Sequence, residues 1–300
     1  MNHQAIDALL AKIGAPTTGE PEVRTKSIVD RIVRDLFYTI EDFDVTPGEF
    51  WTALNYLAAA APELGLIAAG LGFEHFLDVR LDEAEAKLGL EGGTPRTIEG
   101  PLYVAGAPES AGHTRIDDGA SPGETLLMRG RVLGEDGKPV AGALVEVWHA
   151  NHLGNYSHFD PSQPPFHLRA SIRTGADGSY SFQSIVPVGY SVPPAGKTQQ
   201  LLDALGRHGH RPAHIHFFVR APGHRTLTTQ INIDGDPHLW NDFAFATRDG
   251  LVPEVKRQGA GDGKVFGIDG QFALIDFDFK LSRDRADAPT TEVARARAAA

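Results

Sequence analysis

The chain has 300 residues, 41% hydrophobic and 22% charged, with no cysteine and a formal net charge of −11. This is the composition of a soluble globular protein, long enough for one large or two ordinary domains and for a sizeable core. The acidic balance argues against a nucleic-acid partner, which needs a basic surface, and the lack of cysteine excludes a disulfide framework.

The N-terminus, MNHQAIDALLAKIGAP, has no basic segment leading into a long apolar run, so no signal peptide is read. No stretch is expected to span a bilayer, and a cytoplasmic protein without membrane insertion is predicted. Residues 3–13 place Ile6, Leu9, Leu10 and Ile13 on one helical stripe. Residues 22–40 do the same with Ile28, Ile32, Val33, Leu36 and Phe37. A third helix starts at Thr46-Pro47-Gly48-Glu49, where Thr46 caps, Pro47 fits the first helical position and Glu49 completes a capping box. Helical patterning continues over 51–61 and 74–88, and Gly89 stops it. Amphipathic helices of this kind are packed core or an association surface, and the pattern does not separate the two.

A linker rich in Gly, Thr and Pro occupies 89–96, and the periodicity then changes. Strands are predicted over 126–133 and 143–148 around a turn at 134–137, and over 169–174 and 179–184 around a turn at 176–178. Further strands fit 213–220, 226–233 and 271–281. Many short strands with turn signals predict an antiparallel β-sandwich. The fold class is therefore α+β: a helical region with its linker over 1–95, a sandwich domain over 96–282, and a tail over 283–300. The tail alternates charge with Ala, as a frayed helix or a disordered end does.

The run HIHFFV, 214–219, carries the first chemical signal. On a strand, residues two apart share a face, so His214 and His216 point the same way while Ile215, Phe217 and Val219 suit a core. Such a pair also serves zinc or a cupin-like site. The cupin pattern wants a Glu after the second His, and Phe217, Phe218, Val219 and Arg220 stand there instead. Upstream, Tyr156 and Tyr190 follow glycine-containing irregular segments, where ligands often sit. A bound cation ionises a phenol at neutral pH, and two phenolates with two imidazoles favour iron(III). A buried tyrosine is otherwise a core residue with a satisfied hydroxyl.

The segments VEVWHANHLGNYSHFDP (145–161), SIVPVGY (184–190), GRHGHRPAHIHFFV (206–219) and LTTQIN (227–232) resemble the intradiol ring-cleavage dioxygenases. RTIEGPLYVAGAP (96–108) resembles the catechol-cleaving branch of that family, and the likeness runs from about residue 20 to about 282. The resemblance implies one iron(III) per chain on Tyr156, Tyr190, His214 and His216, with catechol and dioxygen as substrates and cis,cis-muconate as product. It implies that Tyr190 leaves the iron and takes a catechol proton. Arg211 and Gln230 are then catalytic, stabilising developing negative charge. Leu66, Ala69, Ile98, Pro101, Leu102, Phe243 and Ala244 match the family's ring pocket. The helical region would be a dimerisation region, with a phospholipid in an apolar tunnel at the homodimer interface. The alternatives within the family are hydroxyquinol and chlorocatechol 1,2-dioxygenases, which tend to have Phe where this chain has Leu102. A remote alternative is a non-catalytic sandwich binding module.

Overall fold

The computed structural model describes residues 1–90, 92–259, 261–291 and 297–299. By packing, the chain divides into two compact units, Met1–Pro62 and Glu63–Ala300.

The first unit holds α1 (His3–Ile13), α2 (Val23–Asp42) and α3 (Pro47–Ala60). His3 stacks on Tyr38 at 4.0 Å, and the Tyr38 hydroxyl donates to Asp7, which ties α1 to α2. The capping box at α3 forms as expected: Thr46 Oγ1 accepts from the Glu49 N–H, and the Glu49 carboxylate accepts from the Thr46 N–H. Helix α2 buries none of its residues. Ile28, Ile32 and Leu36 are 47%, 54% and 56% exposed, so this stripe is not core within the chain.

The second unit contains α4 (Leu64–Gly70), α5 (Phe73–Ala86) and α6 (Lys197–Ala204) with two sheets. One sheet runs β11 (Leu227–Asn232), β10 (His214–Arg220), β5 (Leu144–His149), β6 (Arg169–Arg173), β2 (Glu109–Ala111). The other runs β12 (Lys256–Gln258), β13 (Phe272–Asp276), β4 (Thr125–Gly134), β7 (Ser179–Ile185), β3 (His113–Arg115), and β14 (Phe279–Leu281) also pairs with β4. Two short pairs stand apart: β8 (Tyr190–Ser191) with β9 (His210–Arg211), and β1 (Val104–Ala105) with β15 (Ala298–Ala299). The inner pairings around β10, β5 and β4–β7 are antiparallel. Toward the margins β2–β6, β3–β7, β13–β4 and β14–β4 are parallel. The sheets are therefore mixed rather than wholly antiparallel.

The inward faces alternate as strands must. Ile215, Phe217 and Val219 of β10 share one buried cluster with Met128 of β4 and Phe182 of β7. Phe217 meets Phe182 at 6.3 Å and Phe279 at 4.9 Å, closing one sheet on the other. The turn signals at 134–137 and 176–178 carry the chain from one sheet to the other, because β4 and β7 lie in one sheet and β5 and β6 in its partner.

Three features depart from expectation. Pro47–Gly70 is a 24-residue helical run long and apolar enough to cross a membrane by length and composition. Its last turns are engaged elsewhere, because the Glu63 carboxylate accepts from the Lys197 and Thr198 N–H groups at the start of α6. Of the tail, 282–291 contains no helix and Ala298–Ala299 forms a strand, while 292–296 and 300 lie outside the described residues. The strand expected over 271–281 breaks at Phe277. There the Phe277 carbonyl accepts from the Tyr180 hydroxyl at 2.8 Å, and the Asp278 carboxylate accepts from the Arg131 N–H at 2.7 Å. Gly130 makes room for the break, since a Cβ there would lie 1.7 Å from the Phe277 oxygen. Gly130→Ala should therefore destabilise the fold by at least the ~1–3 kcal/mol typical of overpacking. Thermal unfolding checks this, and an unchanged midpoint would mean the break moves freely.

Candidate metal centre and its pocket

Strand β10 presents His214 and His216 on the face opposite its core residues, with their Nε2 atoms 3.1 Å apart. The His214 Nδ1–H donates to the Pro212 carbonyl at 2.6 Å, which leaves the lone pair on Nε2. His216 stacks flat on Trp148 at 4.9 Å, its neighbour in register on β5. Burial pushes the His214 pKa down to about 3 and that of His216 well below its ordinary value, so both rings are neutral donors.

The tyrosines reach the same point from two loops. After β5 the chain folds around Asn151, whose side-chain oxygen accepts from the Leu153 and Asn155 N–H groups, and this sets Tyr156. Tyr190 is placed by β8, paired with Arg211 of β9. The two loops touch at Gly154, whose φ is +82°, and a Cβ there would lie 2.7 Å from Tyr190 Cβ. Glycine is needed both for the left-handed backbone and for that approach. The phenol oxygens stand 3.4 Å apart, and the Tyr190 oxygen is 3.4 Å from His214 Nε2. All four predicted ligand atoms thus converge. Tyr156 is 3% exposed and Tyr190 only half-buried. Burial pushes Tyr156 well above the ordinary phenol range, so a cation is what would ionise it there. Two neutral imidazole lone pairs and two phenol oxygens around one point fit a hard, highly charged ion. Among the described residues no group of three or more His, Asp or Glu would hold a metal. The donor set depends on tyrosine.

Arg211, 5% exposed, lies against this centre. Its Nη1–H donates to His214 Nε2 at 2.9 Å, the lone pair a metal would take, and its Nη2–H donates to Gln230 Oε1 at 2.8 Å. Gln230 faces His216 across β10–β11 and donates to Asn232 at 3.2 Å. The seven apolar residues predicted for the ring pocket all line a cavity of about 250 Å³ that also reaches Tyr156, Tyr190 and Arg211. Leu66 and Ala69 arrive on α4, and the Arg207 guanidinium donates to both the Gly70 and Phe243 carbonyls, holding α4 beside the 243–244 wall. Gly100, with φ +69°, keeps the space beside His216 open.

Two residues escaped the sequence reading. Asp242 accepts from Arg211 at 3.1 Å through Oδ2, and no pattern around it signals this. His149, a histidine without an assigned role, bridges the sheets. Its Nδ1–H donates to the Ala150 carbonyl and its Nε2 accepts from the Ser184 hydroxyl on β7, both at 2.7 Å.

Burial lowers the His149 pKa from 6.5 to about 4. Between those values the unfolded chain binds a proton that the fold refuses. The associated stability is complete above pH ~6.5 and is lost as pH falls toward ~4, by about 3 kcal/mol. His149→Gln should flatten the pH dependence of unfolding by one proton in that window. Superimposable curves would assign the proton elsewhere.

Comparison with known proteins adds two family matches. The dioxygenase family model matches residues 98–283, and the catechol dioxygenase N-terminus model matches residues 22–89. The chain is 77% identical over 259 residues to catechol 1,2-dioxygenase 2 of Acinetobacter lwoffii, covering 86% of this chain and 94% of that one. The crystal structure of wild-type Acinetobacter radioresistens catechol 1,2-dioxygenase superposes with a TM-score of 0.95 at 52% identity, covering 100% of this chain and 99% of that one. Hydroxyquinol 1,2-dioxygenase of a Rhizobium species is 36% identical over 270 residues, 87% of this chain and 90% of that one.

Proposed function

The chain belongs to the intradiol ring-cleavage dioxygenases, and on that premise we propose that it opens catechol between its two hydroxyl-bearing carbons with dioxygen, giving cis,cis-muconate. The observation that carries this reading is the convergence of Tyr156, Tyr190, His214 and His216 beside a cavity of about 250 Å³, which the two tyrosines line together with the seven apolar side chains. The family depends on non-haem iron. One ferric ion per chain, held by those four side chains, would act as a Lewis acid on the catechol oxygens.

The protein's own groups do the rest. Leu66, Ala69, Ile98 and Leu102 with Phe243 and Ala244 grip the ring and keep water from it, while Pro101 closes the rim. Tyr156, packed against Trp148 and Tyr103 in one buried cluster, stays in place. Tyr190, packed at the margin of that cluster but half-buried on a two-residue strand, is the more accessible of the two and accepts a catechol proton at its phenol oxygen. Arg211, fixed by Gln230, brings a buried positive charge to where negative charge develops on the substrate.

Catechol is favoured over hydroxyquinol because Leu102 stands where the hydroxyquinol and chlorocatechol branches tend to have Phe, and the relatives named for catechol are the nearer ones. The exposed apolar stripe of α2 supports a two-fold homodimer joined through the helical region, with a phospholipid in an apolar tunnel there. The acidic, cysteine-free chain suits the cytoplasm.

Purified protein should contain about one iron per chain, show the red of phenolate-to-iron charge transfer, and convert catechol to cis,cis-muconate. An active, colourless zinc protein would refute the reading. Tyr156→Phe should lose both iron and colour. Tyr190→Phe should retain more iron and still bind catechol, yet turn over ~10²–10⁴-fold more slowly, the usual worth of a general base. Stopped-flow spectra with catechol under anaerobic conditions separate these outcomes. Wild-type turnover by Tyr190→Phe would remove its role as proton acceptor.

A further inference from the structure

Arg211 and Asp242 form a buried pair, 5% and 1% exposed at the side chain. Each carboxylate oxygen binds twice. Oδ1 accepts from Arg211 Nε at 3.3 Å and from the Ala244 N–H at 3.0 Å. Oδ2 accepts from Arg211 Nη2 at 3.1 Å and from the Ala246 N–H at 3.3 Å. One carboxylate is thus a fork to the guanidinium on one side and a clamp on the 244–246 backbone on the other. That backbone follows Phe243 and includes Ala244, two walls of the ring pocket. The Ala246 carbonyl in turn accepts from the Thr97 hydroxyl at 3.0 Å, beside Ile98, a third wall.

We propose that Asp242 is a positioning residue that sets the orientation of Arg211 and the placement of the 243–246 wall as a single unit. The guanidinium plane is then held in fixed register with the ring that the wall grips. This inference rests on the proposed catechol-cleaving function. Asp242 does not line the cavity, so it acts through Arg211 and the wall rather than on the substrate. Asparagine has the shape of aspartate but offers one acceptor oxygen, and its amide N–H₂ would meet one guanidinium N–H and one backbone N–H, both donors. The guanidinium would lose one arm of its fork and turn.

The test uses full-length, iron-loaded protein. Asp242→Asn should lower kcat by about 10²-fold, the scale of a small misplacement. Iron per chain should remain at the wild-type level, and anaerobic titration with catechol should show weakened binding as the wall loosens. Adding Asp242→Asn to Arg211→Gln should change kcat by less than about twofold, because the guanidinium through which it acts on turnover is already gone, while the weakened catechol binding set by the wall persists. Losses in kcat that multiply in the double variant would overturn the proposal, as would a kcat loss explained entirely by lost iron. Should Asp242→Asn fail to fold, Arg211→Lys carries the test. Lysine keeps the charge but cannot span both oxygens, so its kcat should also fall about 10²-fold, and a wild-type kcat would overturn the proposal. If the wild-type chain neither holds iron nor cleaves catechol, the proposed function fails first, before any variant is compared.

Discussion

The strict two-residue alternation of β10 is the constraint on which the rest depends. The strand lies between β5 and β11 in its sheet. Ile215, Phe217 and Val219 are wholly buried against the opposite sheet. Their alternation obliges His214 and His216 to face the other way, and the ring positions follow from the packing of the core. A slip of one residue would send both imidazoles into the hydrophobic interior. The fold and the geometry of the proposed metal centre are thus one decision, made by the register of β10 against its neighbours.

Around that strand, polar groups are buried on terms that differ from place to place. His214 and His216 are kept neutral by desolvation, which suits them as lone-pair donors. Arg211 keeps its charge because Asp242 is buried beside it. Arg169 is only 3% exposed and has no acidic partner among the described residues, yet its guanidinium lies 5.7 Å from the Tyr156 ring centroid. Burial holds its pKa down to about 10, still a cation at neutral pH. Two arginines thus flank the pair of phenols, and an electropositive surrounding suits oxygen ligands that carry negative charge.

What could be read from the sequence was what depends on near neighbours. The helices of the first unit and the capping box at Thr46 are local, and so is the alternation in HIHFFV. The assignment of the tyrosines drew on family resemblance, because 156, 190 and 214 meet only through the pairing of β8 with β9 and the contact at Gly154. Helix α4 is seven residues long, too short for its periodicity to register. The turn at 176–178 was legible as a turn, but nothing in Ala-Asp-Gly says that the next strand enters the other sheet. Asp242 remained hidden because its value lies in a partner 31 positions away, and an isolated aspartate in a loop most often faces water.

The parallel seam between β13 and β4 has a temporal consequence. Leu126 pairs with Ala273, so the first half of β4 waits for a segment near the end of the chain. Until then its edge presents unpaired amides beside Leu126, Leu127 and Met128, all of which are buried in the finished protein. During synthesis the β5–β6 and β4–β7 pairings become available early, whereas the second sheet closes last, across a long chain separation. A nascent chain stalled before Phe272 would carry all four residues of the proposed metal centre together with an unfinished sheet. Completion of the C-terminal strands, rather than assembly of the ligands, is then what covers the exposed edge of β4.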